Sequence, residues 1–172
     1  MCTSMSAEQG AAIIAVALRK TSPDDVLRVF GVSDGRVLGL RLLREAVARR
    51  DRSGVELALI VSFTFGWMPE HLGVLLGLEP AVWHQKHEDV VSALGTFKSP
   101  VAVDALVHAT QWVPDYLDFD EARALATKAV WALGGIAGDE AQAALVRLTQ
   151  DPDPIVSDGA KYQLRRRSGQ EE

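Results

Sequence analysis

Apolar residues recur along the chain at three- and four-residue spacing, and Gly, Pro and small polar clusters interrupt them at short intervals. That pattern predicts short amphipathic helices, near residues 7–19, 23–30, 34–50, 53–65, 69–78, 81–95, 100–110, 119–135, 139–149 and 154–166. The start signals are specific. Ser22-Pro23-Asp24-Asp25 offers an N-cap, a proline at the first helical position and carboxylates at the positive helix end, and Gly31 suits a C-terminal stop. Similar starts occur at Met68-Pro69-Glu70, Glu79-Pro80, Ser99-Pro100, Asp118-Phe119-Asp120-Glu121, Gly138-Asp139-Glu140 and Asp153-Pro154. The run from Val55 to Phe65 is rich in β-branched and aromatic residues that also suit a buried strand. It lacks a partner of similar composition, so it too is assigned to helix.

The second half of the chain repeats itself. A slide of 39 residues pairs Val91 with Val130, Ala93 with Ala132, Leu94 with Leu133, Gly95 with Gly134, Ala105 with Ala144 and Leu106 with Leu145, among nine identities over residues 91–110. A slide of 31 pairs Leu125, Ala129, Trp131 and Leu133 with Val156, Ala160, Tyr162 and Leu164. The eight-residue difference falls in TQWVPDYLDFD, between Thr110 and Glu121, so one copy of a helix–turn–helix unit carries an enlarged loop. Leu125, Ala129, Leu133 and Ile136 make one apolar stripe, and Ala141, Ala144, Leu145 and Leu148 make the next. A single helix pair cannot bury both its faces, so pairs stack. The expectation is an all-α fold, an α-solenoid of about five antiparallel helix pairs stacked in a right-handed superhelix. Leu94, Leu106, Leu125, Leu133, Leu145 and Leu164 are expected in its core.

The segment from Ala132-Leu133-Gly134 through an acidic turn to Leu148 resembles HEAT-like repeats, including those named for phycobiliprotein-lyase proteins. The match spans about residues 84–166. VELALIVSFTFG, WHQKHED and WVPDYLDFDEARALATKAVWALG together look like a family of small bacterial HEAT-repeat proteins. The resemblance implies a helical-repeat binding module without an established catalytic activity, and some proteins of this kind are proposed immunity proteins that neutralise a toxin.

Composition narrows this further. With 172 residues, 48% hydrophobic, the chain is long enough for one domain, here a divergent part (7–80) followed by the clear repeats (81–166). The net charge of −5 disfavours a general nucleic-acid binder. Cys2 is the sole cysteine, which excludes an intramolecular disulfide and a cysteine metal cluster. No apolar run reaches a membrane span, and no basic front precedes the first apolar run, so a cytoplasmic protein is expected.

Three features carry candidate chemistry. His84 and His87 at i, i+3, with Glu88 beside them, fall short of the i, i+4 histidine spacing of zinc-hydrolase helices and suit a first-turn polar cluster better than a metal site. The 111–120 loop interleaves Trp112, Tyr116 and Phe119 with Asp115, Asp118 and Asp120, and aromatic anchors ringed by charge are what interfaces use. Phe119 and Leu117 are expected to tuck under the loop, and Asp118 or Asp120 can also cap the following helix. The partner-facing set is therefore Trp112, Asp115, Tyr116, Asp118 and Asp120, with Trp112 or Tyr116 exposed. Charge is uneven: residues 19–52 carry +4 and residues 100–164 carry −6, which suits a basic protein partner such as a nuclease toxin. Trp67, Trp83, Trp112 and Trp131 could stack bases or a flat cofactor, but Trp131 recurs as Tyr162, which marks a packing position. No catalytic motif, metal site or cofactor is expected. The alternatives are a HEAT-like DNA glycosylase or lyase-type enzyme, with Trp131 or Trp112 and Asp115 as its candidates, and a homo-oligomeric scaffold.

Overall fold

The computed structural model describes residues 5–169, so Cys2 lies outside the described residues. Within them the chain is all-helical, with no strand. The helices are α1 (Ala7–Ala17), α2 (Pro23–Phe30), α3 (Gly35–Arg49), α4 (Arg52–Phe65), α5 (His71–Leu78), α6 (His87–Phe97), α7 (Val103–Gln111), α8 (Ala124–Gly135), α9 (Asp139–Leu148) and α10 (Pro154–Arg167). Short 3-10 turns precede α7 (Pro100–Ala102) and interrupt the loop before α8 (Asp115–Leu117). The 55–65 segment is helix α4. The chain falls into two compact units, one up to Val74 and one from Leu75.

In the first unit the caps are those the sequence supplies. Ser6 and Gln9 form a capping box at α1, and Asp25 reaches back to Ser22 and Thr21 at α2. Gly31 ends α2 in the left-handed conformation at φ 64°. Asp34 and Asp51 cap α3 and α4 through their carboxylates. Only Arg50 and Asp51 link α3 to α4, so the two pack as a hairpin around Leu38, Leu42, Val55 and Leu59. Gly35 lets them close up, because a Cβ there would fall inside the Phe65 ring. At the far end His71 is buried in a closed chain of bonds. Its Nδ1 accepts the Met68 N–H at 3.0 Å, and its Nε2–H donates to Ser62 Oγ at 3.3 Å, whose proton goes to the Ala58 carbonyl at 2.9 Å. Burial lowers the pKa of His71, in keeping with this neutral form.

In the second unit α8 is central and packs against α6, α7, α9 and α10. Leu94, Leu106, Leu125, Leu133 and Leu145 are buried, as expected. Leu164 is not: it is half-buried, and its neighbour Gln163 is 1% exposed instead. The cause is Gly134, whose missing side chain leaves room for the Gln163 side chain to lie on α8; a Cβ there would stand 2.9 Å from Gln163 Cγ. The same contact recurs one helix pair earlier, where a Cβ on Gly95 of α6 would stand 3.0 Å from Ala132 Cβ of α8. Gly95 and Gly134 are equivalent at the 39-residue slide, and Ala132 and Gln163 at the 31-residue slide. A glycine at one register thus twice receives the helix two further along, α8 on α6 and α10 on α8.

Two helix starts differ from expectation. Helix α6 begins at His87 rather than near 81, because residues 79–86 form turns, and α8 begins at Ala124 rather than near 119. Both displaced starts belong to the candidate site.

Candidate functional site

The turns between α5 and α6 are held by two histidines. His84 Nε2–H donates to the Leu78 carbonyl at 2.8 Å, which also accepts the Ala81 N–H at 3.0 Å, and His84 Nδ1 accepts the Lys86 N–H at 3.1 Å. His87 Nε2–H donates to the Ala81 carbonyl at 3.1 Å. Its Nδ1 is then an acceptor, and the Tyr116 hydroxyl donates to it at 2.9 Å. The same hydroxyl accepts the backbone N–H of His87 at 3.2 Å, one of the unpaired donors at the start of α6. His84 and His87 are each 1% exposed and stack at 4.2 Å between ring centroids. Burial, reinforced by the adjacent His84 ring, pulls the His87 pKa down to about 4, and burial pushes the Tyr116 phenol up. Both groups are neutral at physiological pH.

The aromatic cluster extends to α7. Trp112 meets His87 edge-on at 4.7 Å and His108 at 5.3 Å, so His108 lies one ring away from the pair to which nothing in the sequence connected it. His108 Nδ1 faces both carboxylate oxygens of Glu79, at 2.9 and 3.1 Å. Glu79 is 3% exposed; burial raises its carboxyl, and the bond to His108 opposes that rise. Sequence reasoning missed Glu79 as anything but a helix-start residue. The available signal was the i, i+4 spacing of His108 and Trp112, which sets Trp112 one turn beyond His108, just past the end of α7.

His84, His87 and Glu88 do not form a ligand set. Both histidine rings are committed to the bonds above, and Glu88 pairs with Lys128 of α8 at 2.8 Å. Among the described residues no group of three His, Cys, Asp or Glu side chains is placed to hold a metal.

The loop from Trp112 to Arg123 is fixed at several points. Pro114 is buried, and Trp112 and Tyr116 are half-buried against His87 and His108. Neither Trp112 nor Tyr116 is the exposed aromatic that was expected. That residue is Phe119, 76% exposed, which was expected to tuck under. The reversal has a physical cause: Tyr116 and Trp112 find hydrogen-bond and ring partners in the α5–α6 turns, whereas Phe119 follows the 3-10 turn on its outer side. Asp120 is the cap of α8, accepting the N–H groups of Ala122 at 3.2 Å and Ala124 at 2.6 Å. Arg123 takes a left-handed conformation at φ 49° and latches the loop end, donating to the Thr110 carbonyl at 2.8 Å and pairing with Asp153 at 3.2 Å. Asp115 and Asp118 are exposed, as is Glu121.

A second aromatic group lies on α8 and α10. Trp131 and Tyr162 touch at 5.5 Å between centroids, yet they stay 49% and 41% exposed. Among the described residues no helix is long and apolar enough to cross a membrane. No protein-family model, no curated protein and no solved structure matches the chain.

Proposed function

We propose that the chain is a non-catalytic helical-repeat module of HEAT-like character that docks a protein partner through the loop between α7 and α8. One observation carries this: Phe119 is 76% exposed on a loop whose other two aromatic side chains, Trp112 and Tyr116, are pinned in place. An exposed aromatic on a mobile strand of chain would lose entropy on docking, whereas one on a fixed loop is pre-organised. Asp115, Asp118 and Glu121, all exposed on the same loop, make it negative, so the complementary partner is basic, and a toxin neutralised in an immunity pair has that chemistry. Of the expected set, Asp115 and Asp118 face the partner while Trp112, Tyr116 and Asp120 hold the loop; Phe119, outside that set, is the anchor.

The recurrence of the Gly95–Ala132 contact at Gly134–Gln163 supports stacked helix pairs, α6 with α7 and α8 with α9, followed by α10. A right-handed solenoid continued through the earlier helices, with about five pairs in all, is the extension of that repeat. The non-catalytic reading is supported by His71, His84 and His87, whose ring nitrogens are all engaged inside the fold.

The test is a pull-down of partners from the source cells with the purified chain, followed by affinities of the captured protein for variants. Phe119→Ala should weaken binding by more than about 1 kcal/mol, the scale of an interface anchor, without lowering stability. Asp118→Lys should slow association and flatten its salt dependence. Partners that bind Phe119→Ala and Asp118→Lys as well as wild type would place the interface elsewhere.

A further inference from the structure

We propose that Trp131, Tyr162 and Arg166 form a second docking ledge, and that its occupant is an acidic protein segment carrying an aromatic side chain. Trp131 and Tyr162 occupy the same position in successive repeats, 31 residues apart. Such equivalence would ordinarily mark packing, but packing is carried by their neighbours: Val130 and Leu133 are buried in α8, Ala160 and Gln163 in α10. The two rings themselves stand outward, about half exposed, with their planes 46° apart.

Arg166 lies over both rings, its guanidinium carbon 5.3 Å from the Trp131 centroid and 6.0 Å from that of Tyr162. Gln163 Oε1 accepts from Arg166 Nη1 at 3.3 Å, and Gln163 is itself fixed by the gap at Gly134. The ledge is therefore aromatic below and cationic above, on a buried support.

Its charge is opposite to that of the chain. Between residues 158 and 167, α10 carries Lys161, Arg165, Arg166 and Arg167 against Asp158 alone. Lys161 pairs with Asp158 at 3.0 Å, and Arg167 donates to the Gln142 amide oxygen at 3.0 Å. Arg165 is exposed and has no ion pair among the described residues. Cations in a last helical turn suit the helix dipole, but the dipole does not account for the two outward rings beside them. Guanidinium groups bind carboxylates in bidentate fashion, and a partner aromatic ring would cover the Trp131–Tyr162 surface. A nucleic-acid strand would need a longer positive track, and the chain's net charge of −5 opposes it.

The experiment is fluorescence anisotropy at low salt with four labelled probes: six glutamates around a central phenylalanine, the same peptide with central alanine, a lysine version, and oligothymidine. The phenylalanine–glutamate probe should bind wild type best. Trp131→Ala, Tyr162→Ala and Arg166→Glu should each weaken it about tenfold, the scale of one anchor contact. All three positions are exposed, and circular dichroism checks that each variant folds. Phe119→Ala should leave this binding unchanged, which separates the ledge from the loop proposed above. The proposal is overturned if wild type fails to bind the probe, if the ledge variants bind as wild type does, or if oligothymidine binds as tightly. It is also overturned if sedimentation shows a dimer that Arg166→Glu dissolves, which would assign the ledge to a second copy.

Discussion

Replacing Tyr116 by phenylalanine removes one oxygen and leaves the ring. That oxygen accepts the His87 N–H and donates to His87 Nδ1, and His87 is 1% exposed. Water cannot easily take over either role. Each hydrogen bond contributes a net ~0.5–1.5 kcal/mol, and a buried group left unpaired costs about 1–3 kcal/mol. Tyr116→Phe should therefore destabilise the chain by about 2–3 kcal/mol, because two bonds vanish at one buried residue. For a chain of this size that lowers the melting temperature by roughly 4–12 °C, readable by circular dichroism. The linked titration supplies an independent check. His87 sits at about 4 in the fold, below its ordinary 6.5, so the fold excludes the charged ring. A depressed histidine contributes stability that is complete above the unfolded value and is lost as pH falls toward the folded one. Between pH 6.5 and 4 the loss reaches about 3 kcal/mol, at ~1.4 kcal/mol per unit. His71 adds to it in the same direction, whereas Glu79, raised by burial, works against it because falling pH relieves its cost. Comparison with His87→Gln, which cannot titrate, isolates the His87 part. A Tyr116→Phe protein that melts with wild type, or a His87→Gln protein with the wild-type pH dependence, would refute the closed circuit of bonds.

Three further outcomes follow from the packing. Gly134→Ala should cost about 1–3 kcal/mol through overpacking against Gln163, and Gly134→Ala combined with Gln163→Ala should recover part of it, as a double-mutant cycle by urea denaturation would show. Leu133→Ala should lower stability by about 2–5 kcal/mol, since the side chain is fully buried; an unchanged melting temperature would remove the stacked-repeat account. Arg123→Ala frees the Thr110 carbonyl and the Asp153 pair, so amide exchange across 111–123 should accelerate while exchange in α9 stays as it was.

The helices were legible because their signals are local. Ser22-Pro23, Asp34, Asp51 and Asp153 each cap a helix through atoms within three residues, and the sequence displays such contacts directly. The repeat was legible for a related reason: recurrence at 31 and 39 residues puts equivalent contacts at equivalent positions, and Gly95 and Gly134 do receive equivalent residues. What escaped was nonlocal. Residues 81–86 read as helix, because nothing in WHQKHED says that the His84 and His87 rings will bond carbonyls six residues earlier, and His87 a tyrosine 29 residues later. Leu164 and Gln163 exchange roles because a glycine on another helix fits the amide.

The exchange of Phe119 with Trp112 and Tyr116 has the same origin, and it bears on function. Which loop aromatic faces solvent depends on which finds a polar partner in the interior. Tyr116 carries a hydroxyl that His87 can use, and Trp112 has a ring face that His108 and His87 can border. Phe119 has neither a hydrogen-bonding group nor, among the described residues, a ring neighbour within the fold. In the repeat-matched unit, the polar-tipped aromatics of the loop thus act as structural fasteners, and the purely apolar one is left at the surface. On α8 and α10 the logic inverts: Trp131 and Tyr162 stay outward because the small residues beside them already close the helix contact. An aromatic residue of this chain is therefore best assigned by asking what its neighbours at the same register already bury. Its own hydrophobicity is the weaker guide.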